Sequence, residues 1–260
     1  MKHTALITGA SSGIGKELAE IHAEKGGDLI LVARSKDKLE QIKQDLESKY
    51  NIKVILIIKD LTDVNAPQEI FDEVKGEKIE IDYLINNAGF GGQGYFHERN
   101  WQDDKNMIQL NVMALTELTR LFLPDFVKRN SGKILNVSST ASFMPGPLQA
   151  VYFATKSYVQ FFSNALSEEL SNTNVSVTNL MPGATETKFA KVSNMDKTGL
   201  FDKTASVRSV AEDGYNAMLD GKMDIISGLT FGQKIMFYLI PFTPKKVLLK
   251  QIKNMQEIKK

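Results

Sequence analysis

Three residues of this chain stand at a spacing that could do chemistry together. Tyr152 and Lys156 are four apart in Tyr152-Phe153-Ala154-Thr155-Lys156, and Ser139 lies thirteen residues upstream. A phenol loses its proton at about pH 10 and an ammonium at about 10.4, so neither is a ready base at neutral pH. On a helix, the i, i+4 spacing puts both side chains on one face. There the ammonium charge favours phenolate and lowers the tyrosine pKa toward the working range. Tyr152 then becomes an acid/base able to exchange a proton with a carbonyl or alcohol oxygen. The neighbouring hydroxyl of Ser138 is a second candidate for the serine position.

A reaction of that kind needs a partner for the proton, and the N-terminus offers a place to hold one. Thr8-Gly9-Ala10-Ser11-Ser12-Gly13-Ile14-Gly15 falls between an apolar strand pattern and a helical one. Glycines there permit a tight turn and let backbone N–H groups approach a pyrophosphate at the positive end of a helix. The spacing is G-x-x-x-G-x-G, a departure from the G-x-G-x-x-G fingerprint, and its position on the first βα turn is what gives it weight. Which dinucleotide is also readable. An NAD site places an acid at the end of the second strand, about 20 residues past the glycines. Here Ala33 stands in that place, followed by Arg34 and Ser35, and Asp28 is at the wrong end of the strand. A guanidinium attracts a 2′-phosphate that a carboxylate would repel, so NADP(H) is expected over NAD(H).

The elements that must position these groups follow from hydrophobic periodicity. Strands are expected at Ala5–Thr8, Asp28–Ala33, Ile52–Ile58, Asp82–Ile85, Lys133–Val137 and Val175–Leu180. Their nearly continuous apolar runs suit strands covered on both faces, hence a parallel sheet. Ile14, Leu18 and Ile21 mark one helix face and Leu39, Ile42 and Leu46 another. Thr62 or Asp63 is expected to cap a helix holding Ile70 and Val74. Longer helical patterns run from about Asp103 to Lys128 and from Tyr152 to Leu170. Repeated βα units predict a doubly wound α/β sheet with helices on both faces, and with no linker or repeat, residues 1–260 read as a single domain.

Composition narrows the classes. Thirty-two basic residues balance 31 acidic ones, so a net charge of +1 gives no reason to expect a nucleic-acid partner. The absence of cysteine rules out a disulfide scaffold and any thiolate metal site, and suits a reducing, cytoplasmic setting. His3, His22 and His97 lack metal-ligand spacing and read as surface or strand-edge residues; no metal is expected. The N-terminal apolar run is too short for a signal peptide before Gly9 interrupts it, and no stretch reaches the roughly 18 apolar residues of a membrane span.

Taken in order, Thr8-Gly9 to Gly15, Asn86-Asn87-Ala88-Gly89, Asn111, Ser139, Tyr152-x-x-x-Lys156 and Pro182-Gly183 resemble the short-chain dehydrogenase/reductase family over about residues 3 to 190. The resemblance implies a Rossmann-like oxidoreductase acting on an alcohol or carbonyl with a nicotinamide dinucleotide. It implies that Gly9, Ser11, Ser12, Gly13, Ile14 and Gly15 line the cofactor site. Asn86 to Gly89 would close the fourth strand, with Asn87, Ala88 and Gly89 beside the cofactor, while Asp60 would meet the adenine and Leu61 join the cofactor site. It further implies that Ser139 is the catalytic serine, Tyr152 the acid/base, Lys156 the ribose-binding lysine and Asn111 the fourth member. Ser139 can then stabilise charge on the substrate oxygen as hydride arrives. Asn111 could hold a water linking Lys156 to solvent, or simply kink its helix. Pro182, Gly183, Thr185 and Thr187 follow the sixth strand, where a doubly wound sheet presents its ligand crevice; the resemblance puts Thr187 near the nicotinamide carboxamide. A homodimer or homotetramer is the assembly it implies.

Phe90, Ala141, Phe143, Met144, Pro145, Pro147, Leu148 and Phe189 could wall an apolar small-molecule substrate. Residues 229–260 depart from the rest. Ile235, Phe237, Leu239 and Phe242 precede Lys245, Lys246, Lys250 and Lys253, with Leu248, Ile252 and Met255 at helical spacing. A lid or subunit contact is preferred for this tail over a membrane-surface helix. The leading function is an NADPH-dependent reductase or reversible alcohol dehydrogenase. A sugar-nucleotide epimerase or dehydratase would need a larger C-terminal domain and another glycine spacing. A non-catalytic dinucleotide sensor or scaffold is the alternative, against which the intact Ser139, Tyr152 and Lys156 set argues.

Overall fold

Seven parallel strands form one sheet in the computed structural model, which describes residues 2–193, 195 and 204–257. They are β1 (Thr4–Thr8), β2 (Asp28–Ala33), β3 (Val54–Ile58), β4 (Tyr83–Asn86), β5 (Gly132–Val137), β6 (Val175–Pro182) and β7 (Asp224–Ser227). Their order is β3-β2-β1-β4-β5-β6-β7, so the direction of winding reverses between β1 and β4. Ile7 sits beside Leu31 of β2 on one side and Ile85 of β4 on the other, which fixes the register at this switch point. Ligands bind at the carboxyl ends of strands flanking such a reversal. Six strands match the expected pattern, although β3 begins at Val54 rather than Ile52. β7 has no counterpart among the expected strands: its four residues, half of them polar, carry too little periodicity to stand out.

Alternation along each strand builds two cores. Ile7, Leu31, Ile85, Leu135 and Leu180 face Leu18 of α1 (Gly13–Glu24), Leu39 of α2 (Lys36–Lys49) and Val210 and Tyr215. The opposite-facing Leu6, Ile30, Leu84, Ile134 and Val177 pack with Ile70 of α3 (Ala66–Gly76) and with Leu118, Phe122 and Phe126. Helix α3 starts later than expected. Its N-cap is Asn65, while Thr62 and Asp63 belong to the preceding turn, where the Asp63 carboxylate accepts from the Asn65 N–H at 3.0 Å.

The expected long helix between Asp103 and Lys128 is three pieces in line: α4 (Trp101–Ile108), a π-helical turn (Gln109–Ala114) and α5 (Leu115–Lys128). Helix α6 (Ala150–Glu169) then carries Tyr152 and Lys156 beneath a 3₁₀ turn (Thr140–Phe143) capped by Ser139. The short α7 (Phe189–Val192) follows β6, and α8 (Val207–Leu219) returns to the first face. His22 on α1 is a core residue and not the surface group expected. Its Nε2 lies 3.0 Å from the His3 carbonyl and 3.1 Å from that of Asp28, so Nε2 carries the proton and Nδ1 accepts from the Tyr215 hydroxyl at 2.7 Å. Burial holds this histidine below its ordinary pKa and pins α1 to α8. The tail forms α9 (Phe231–Leu239), a 3₁₀ turn (Ile240–Phe242) and α10 (Lys245–Gln256); residues 258–260 fall outside the described part. Among the described residues no helix is long and apolar enough to cross a membrane.

Candidate active site

The turn after β1 is shaped by what cannot fit there. Gly9 and Gly13 hold φ of +67° and +58°, the left-handed region that L side chains avoid. A Cβ on Gly15 would overlap Asn87 Nδ2 and lie 2.5 Å from the Gly9 carbonyl. Asn87 approaches so closely because its Nδ2 donates to the Thr8 carbonyl at 2.9 Å, while the Thr8 hydroxyl accepts from the Asn87 and Ala88 N–H groups at 3.0 Å. Ser12, exposed at the N-cap of α1, makes no side-chain capping bond, so the first-turn amides are free of an internal cap. A bare backbone, unshielded amides and the positive helix end together suit a pyrophosphate. Ser11 and Ile14 stand on the same turn; Ile14 leans partly into the core. Behind it, Asn86 donates to Thr119 Oγ1 (3.1 Å) and to Asn136 Oδ1 (2.9 Å), and Asn136 donates to Ser163 (2.9 Å), a buried polar string tying β4 and β5 to α5 and α6.

Arg34, at the end of β2, is largely exposed and reaches Asp60 Oδ2 at 3.3 Å. Asp60 also accepts from the Thr62 N–H (3.0 Å) and hydroxyl (2.8 Å). Burial pushes its carboxyl up, but those bonds and the guanidinium outweigh it and hold the pKa below the usual value. Leu61 turns its side chain into the core beside Ile57 and Ile70, which leaves its backbone for any ligand.

Tyr152 and Lys156 are both buried on α6, which packs against β5 and β6. The Lys156 ammonium donates to the Val137 carbonyl at 2.8 Å and lies 6.0 Å from the centre of the Tyr152 ring. Ser139 Oγ accepts from the Ala141 N–H (3.1 Å), and its hydroxyl stands beside the Tyr152 phenol, whose pKa it lowers. The phenol does not move in the expected direction. Burial pushes Tyr152 up to about 12, and the Ser139 bond recovers only part of that rise. Burial likewise lowers Lys156 to about 8, so the cation that was expected to lower the phenol is itself weakened by desolvation. Ser138 is spoken for, since its hydroxyl donates to the Lys156 carbonyl at 2.8 Å and so holds α6 against β5.

Asn111 lies in the π turn. Its Nδ2 donates to the Phe90 carbonyl (2.9 Å) and to Thr155 Oγ1 (3.1 Å), and its Oδ1 accepts from the Phe90 N–H (3.1 Å). The side chain therefore clamps the loop after β4 to α6, and a π turn is a common way to aim one residue out of a helical register. Gly89 shows where the groups converge: a Cβ there would stand 3.1 Å from Asn111 Oδ1 and 3.3 Å from Lys156 Nζ. Thr8, Thr155 and the Val137 carbonyl were not among the expected site residues. Thr155 had a signal, one residue before Lys156 on the same helix, but its use depends on the π turn.

The segment after β6 closes the other side. Pro182 ends the strand, the Gly183 N–H donates to Ser227 (2.9 Å), and buried Thr185 donates to the Gly183 carbonyl (2.9 Å). Thr187 overhangs the glycine turn, its Cγ2 3.2 Å from where a Gly13 Cβ would be. Of the expected apolar wall, Phe90, Ala141, Met144 and Phe189 join Tyr152 in one cluster, with the Phe189 ring 5.3 Å from that of Tyr152. Pro147 and Leu148 instead line a separate cavity of about 270 Å³ shared with Gly92, Arg99 and Lys253. Pro145 is exposed. Ile252 and Leu248 of α10 complete the Tyr152 cluster, and Gln256 bonds Gln149 (2.8 Å) and Gln93 (3.0 Å).

A parallel sheet wound in this order, with a glycine turn at its switch point and a Ser/Tyr/Lys corner beside it, defines a Rossmann-like oxidoreductase fold. Residues 3–198 match the family model described as short chain dehydrogenase, and the chain belongs to that family. It is 38% identical over 194 residues to the very-long-chain 3-oxoacyl-CoA reductase of Mus musculus, covering 72% of this chain and 61% of that protein. With the NADP-dependent 3-hydroxy acid dehydrogenase of Schizosaccharomyces pombe it shares 40% identity over 194 residues, 73% of this chain and 74% of the other. The chain thus spans about three-fifths of the length of the 3-oxoacyl-CoA reductases it matches. Among solved structures, a short-chain dehydrogenase from Sphingobium yanoikuyae in complex with NADPH superimposes with a TM-score of 0.84 at 30% identity, covering 98% of both chains.

Proposed function

We propose that this protein is an NADPH-dependent reductase of carbonyl compounds, with Tyr152 as proton donor. The observation that carries the reading is the buried corner that brings Ser139 beside the Tyr152 phenol, with Lys156 6.0 Å from its ring, next to the glycine turn. When bound, the nicotinamide dinucleotide supplies or accepts the hydride. Gly9, Ser11, Ser12, Gly13, Ile14 and Gly15 hold its pyrophosphate, with Arg34 on a 2′-phosphate and Asp60 and the Leu61 backbone at the adenine. Asn87, Ala88, Gly89, Pro182, Gly183, Thr185 and Thr187 flank the nicotinamide half, and Lys156 holds its ribose. The absence of an acid at Ala33, the NADPH of the Sphingobium structure and the yeast relative's NADP dependence all favour NADP(H).

Ser139 donates to the substrate oxygen and stabilises the charge that develops there. A phenol pushed up to about 12 is neutral at pH 7, which suits a proton donor to an alkoxide, a far stronger base than phenolate. Asn111 acts by holding Phe90 and Thr155, and through them the spacing of α6 from the cleft. The relatives named for 3-oxoacyl-CoA and 3-hydroxy acid substrates make a carbonyl two carbons from an acyl group the first class to try, and the aromatic cluster at Tyr152 favours an apolar chain. Exposed Trp101, Met113, Tyr158 and Phe161 on α4, the π turn and α6 support a homo-oligomer, and the lack of cysteine supports a cytoplasmic setting.

The test is oxidation of NADPH and of NADH over a panel of 3-oxoacyl thioesters, 3-oxo acids and apolar ketones. Turnover with NADPH on at least one class is expected. Tight NADPH binding without turnover across the panel would leave the sensor reading in its place.

A further inference from the structure

The two tail helices differ in what they touch. Helix α10 is seated, with Ile252 and Gln256 buried against the loops that frame Tyr152. Helix α9 and the turn after it are not. Phe231 is 81% exposed and Phe242 83%, and Ile235, Met236 and Leu239 are exposed between them. Aromatic rings left in water at both ends of one short segment form an apolar patch that wants a cover. The charge around it is segregated. Residues 229–260 hold seven lysines against Glu257 alone, a net +6, so with +1 for the whole chain residues 1–228 carry −5. Lys234, Lys245, Lys246 and Lys250 have no ion-pair partner among the described residues.

We propose that α9 and the Ile240–Phe242 turn dock on an anionic membrane surface, with Phe231, Met236, Leu239 and Phe242 entering the acyl boundary and the lysines meeting lipid phosphates. Apolar side chains flanked by cations are what interfacial binding requires. A second copy fits worse, because a two-fold contact through this face pairs the +6 segment with itself. The patch also adjoins the active-site rim: the Phe237 ring is 5.5 Å from that of Phe143, in the turn capped by Ser139. Docking would turn that rim toward the lipid, where apolar carbonyl compounds concentrate. The docking itself does not depend on the proposed catalysis.

Co-sedimentation of the full chain with phosphatidylcholine vesicles, with and without phosphatidylglycerol, tests it. Binding is expected only where phosphatidylglycerol is present. It should be released when salt rises from about 0.1 to 1 M, as the screening length falls from roughly 10 to 3 Å. Lys245→Glu with Lys246→Glu should weaken it by roughly 30-fold or more, and Phe231→Ser with Phe242→Ser by at least roughly 100-fold. Unchanged thermal midpoints show that these exposed substitutions leave the fold alone. Failure to bind phosphatidylglycerol vesicles at low salt overturns the proposal, as does binding that both double variants retain. If the phenylalanine variant instead lowers the oligomer mass in vesicle-free solution, a second copy covers the patch and the membrane does not.

Discussion

The corner around Gly15, Asn87 and Lys156 and the tail around α9 follow opposite building rules. In the corner the side chains that hold the loops together are paired: Thr8 serves Asn87 and Ala88, Asn111 serves Phe90 and Thr155, and Lys156 serves Val137. One added methyl at Gly15 has nowhere to go. In α9, a methyl added at Gly232 would meet nothing within 4 Å, and Phe231, Ile235, Met236 and Leu239 face water. The difference teaches where identity is constrained. A site built on backbone approach and saturated hydrogen bonds tolerates one residue type per position, whereas a helix held by its own capping box, Thr230 with Gln233, tolerates many.

The sharpest break of that comparison is Tyr152→Phe. Loss of the transferable proton should cut turnover by roughly 10²–10⁴-fold while NADPH affinity stays nearly intact. Steady-state rates within about tenfold of the parent would remove Tyr152 from the proton-transfer role. Gly15→Ala should come next, abolishing dinucleotide binding in a fluorescence titration by displacing Asn87. Its control, Gly232→Ala, should leave binding unchanged and stabilise α9 by up to about 1 kcal/mol; equal effects at the two glycines would erase the contrast between corner and tail.

Lys156→Met should separate stability from function. Burial lowers Lys156 from 10.5 to about 8, so the unfolded chain holds the extra proton between those values. Stability accordingly rises with pH across about 8 to 10.5, and the full cost is present below 8. Removing the buried amine should stabilise the fold at pH 7 by up to about 3 kcal/mol, less about 1 for the lost bond to Val137. Cofactor affinity and turnover should both fall. Denaturation across pH 7 to 11 reads the effect, and a variant less stable than the parent at pH 7 would mean that Lys156 is not strained by burial. The smallest effect is at the exposed rim. Arg34→Ala should narrow the NADPH-over-NADH preference by about 10- to 150-fold, the worth of one charge-assisted bond. Comparable dissociation constants for the two dinucleotides in the parent would remove the preference itself.

The sequence by itself determined the sheet and the places where chemistry could stand. Apolar runs such as Leu29 to Ala33 read as covered parallel strands because both faces are buried, and glycines at 9, 13 and 15 read as a ligand turn because only they allow that backbone approach. Tertiary structure decided what those patterns leave open. The four-residue β7 lacks periodicity and forms because β6 offers an open edge; the π turn at Asn111 depends on Phe90 and Thr155 arriving from other elements. The direction of the Tyr152 shift was likewise hidden, since i, i+4 spacing reports the neighbouring cation but not the depth of burial, and desolvation of the phenol outweighs the opposing effect of Ser139. The tail divides for the same reason. Apolar residues recur at helical spacing in both α9 and α10, yet only α10 has buried residues, because pairing across the fold is a property of the partner and not of the helix.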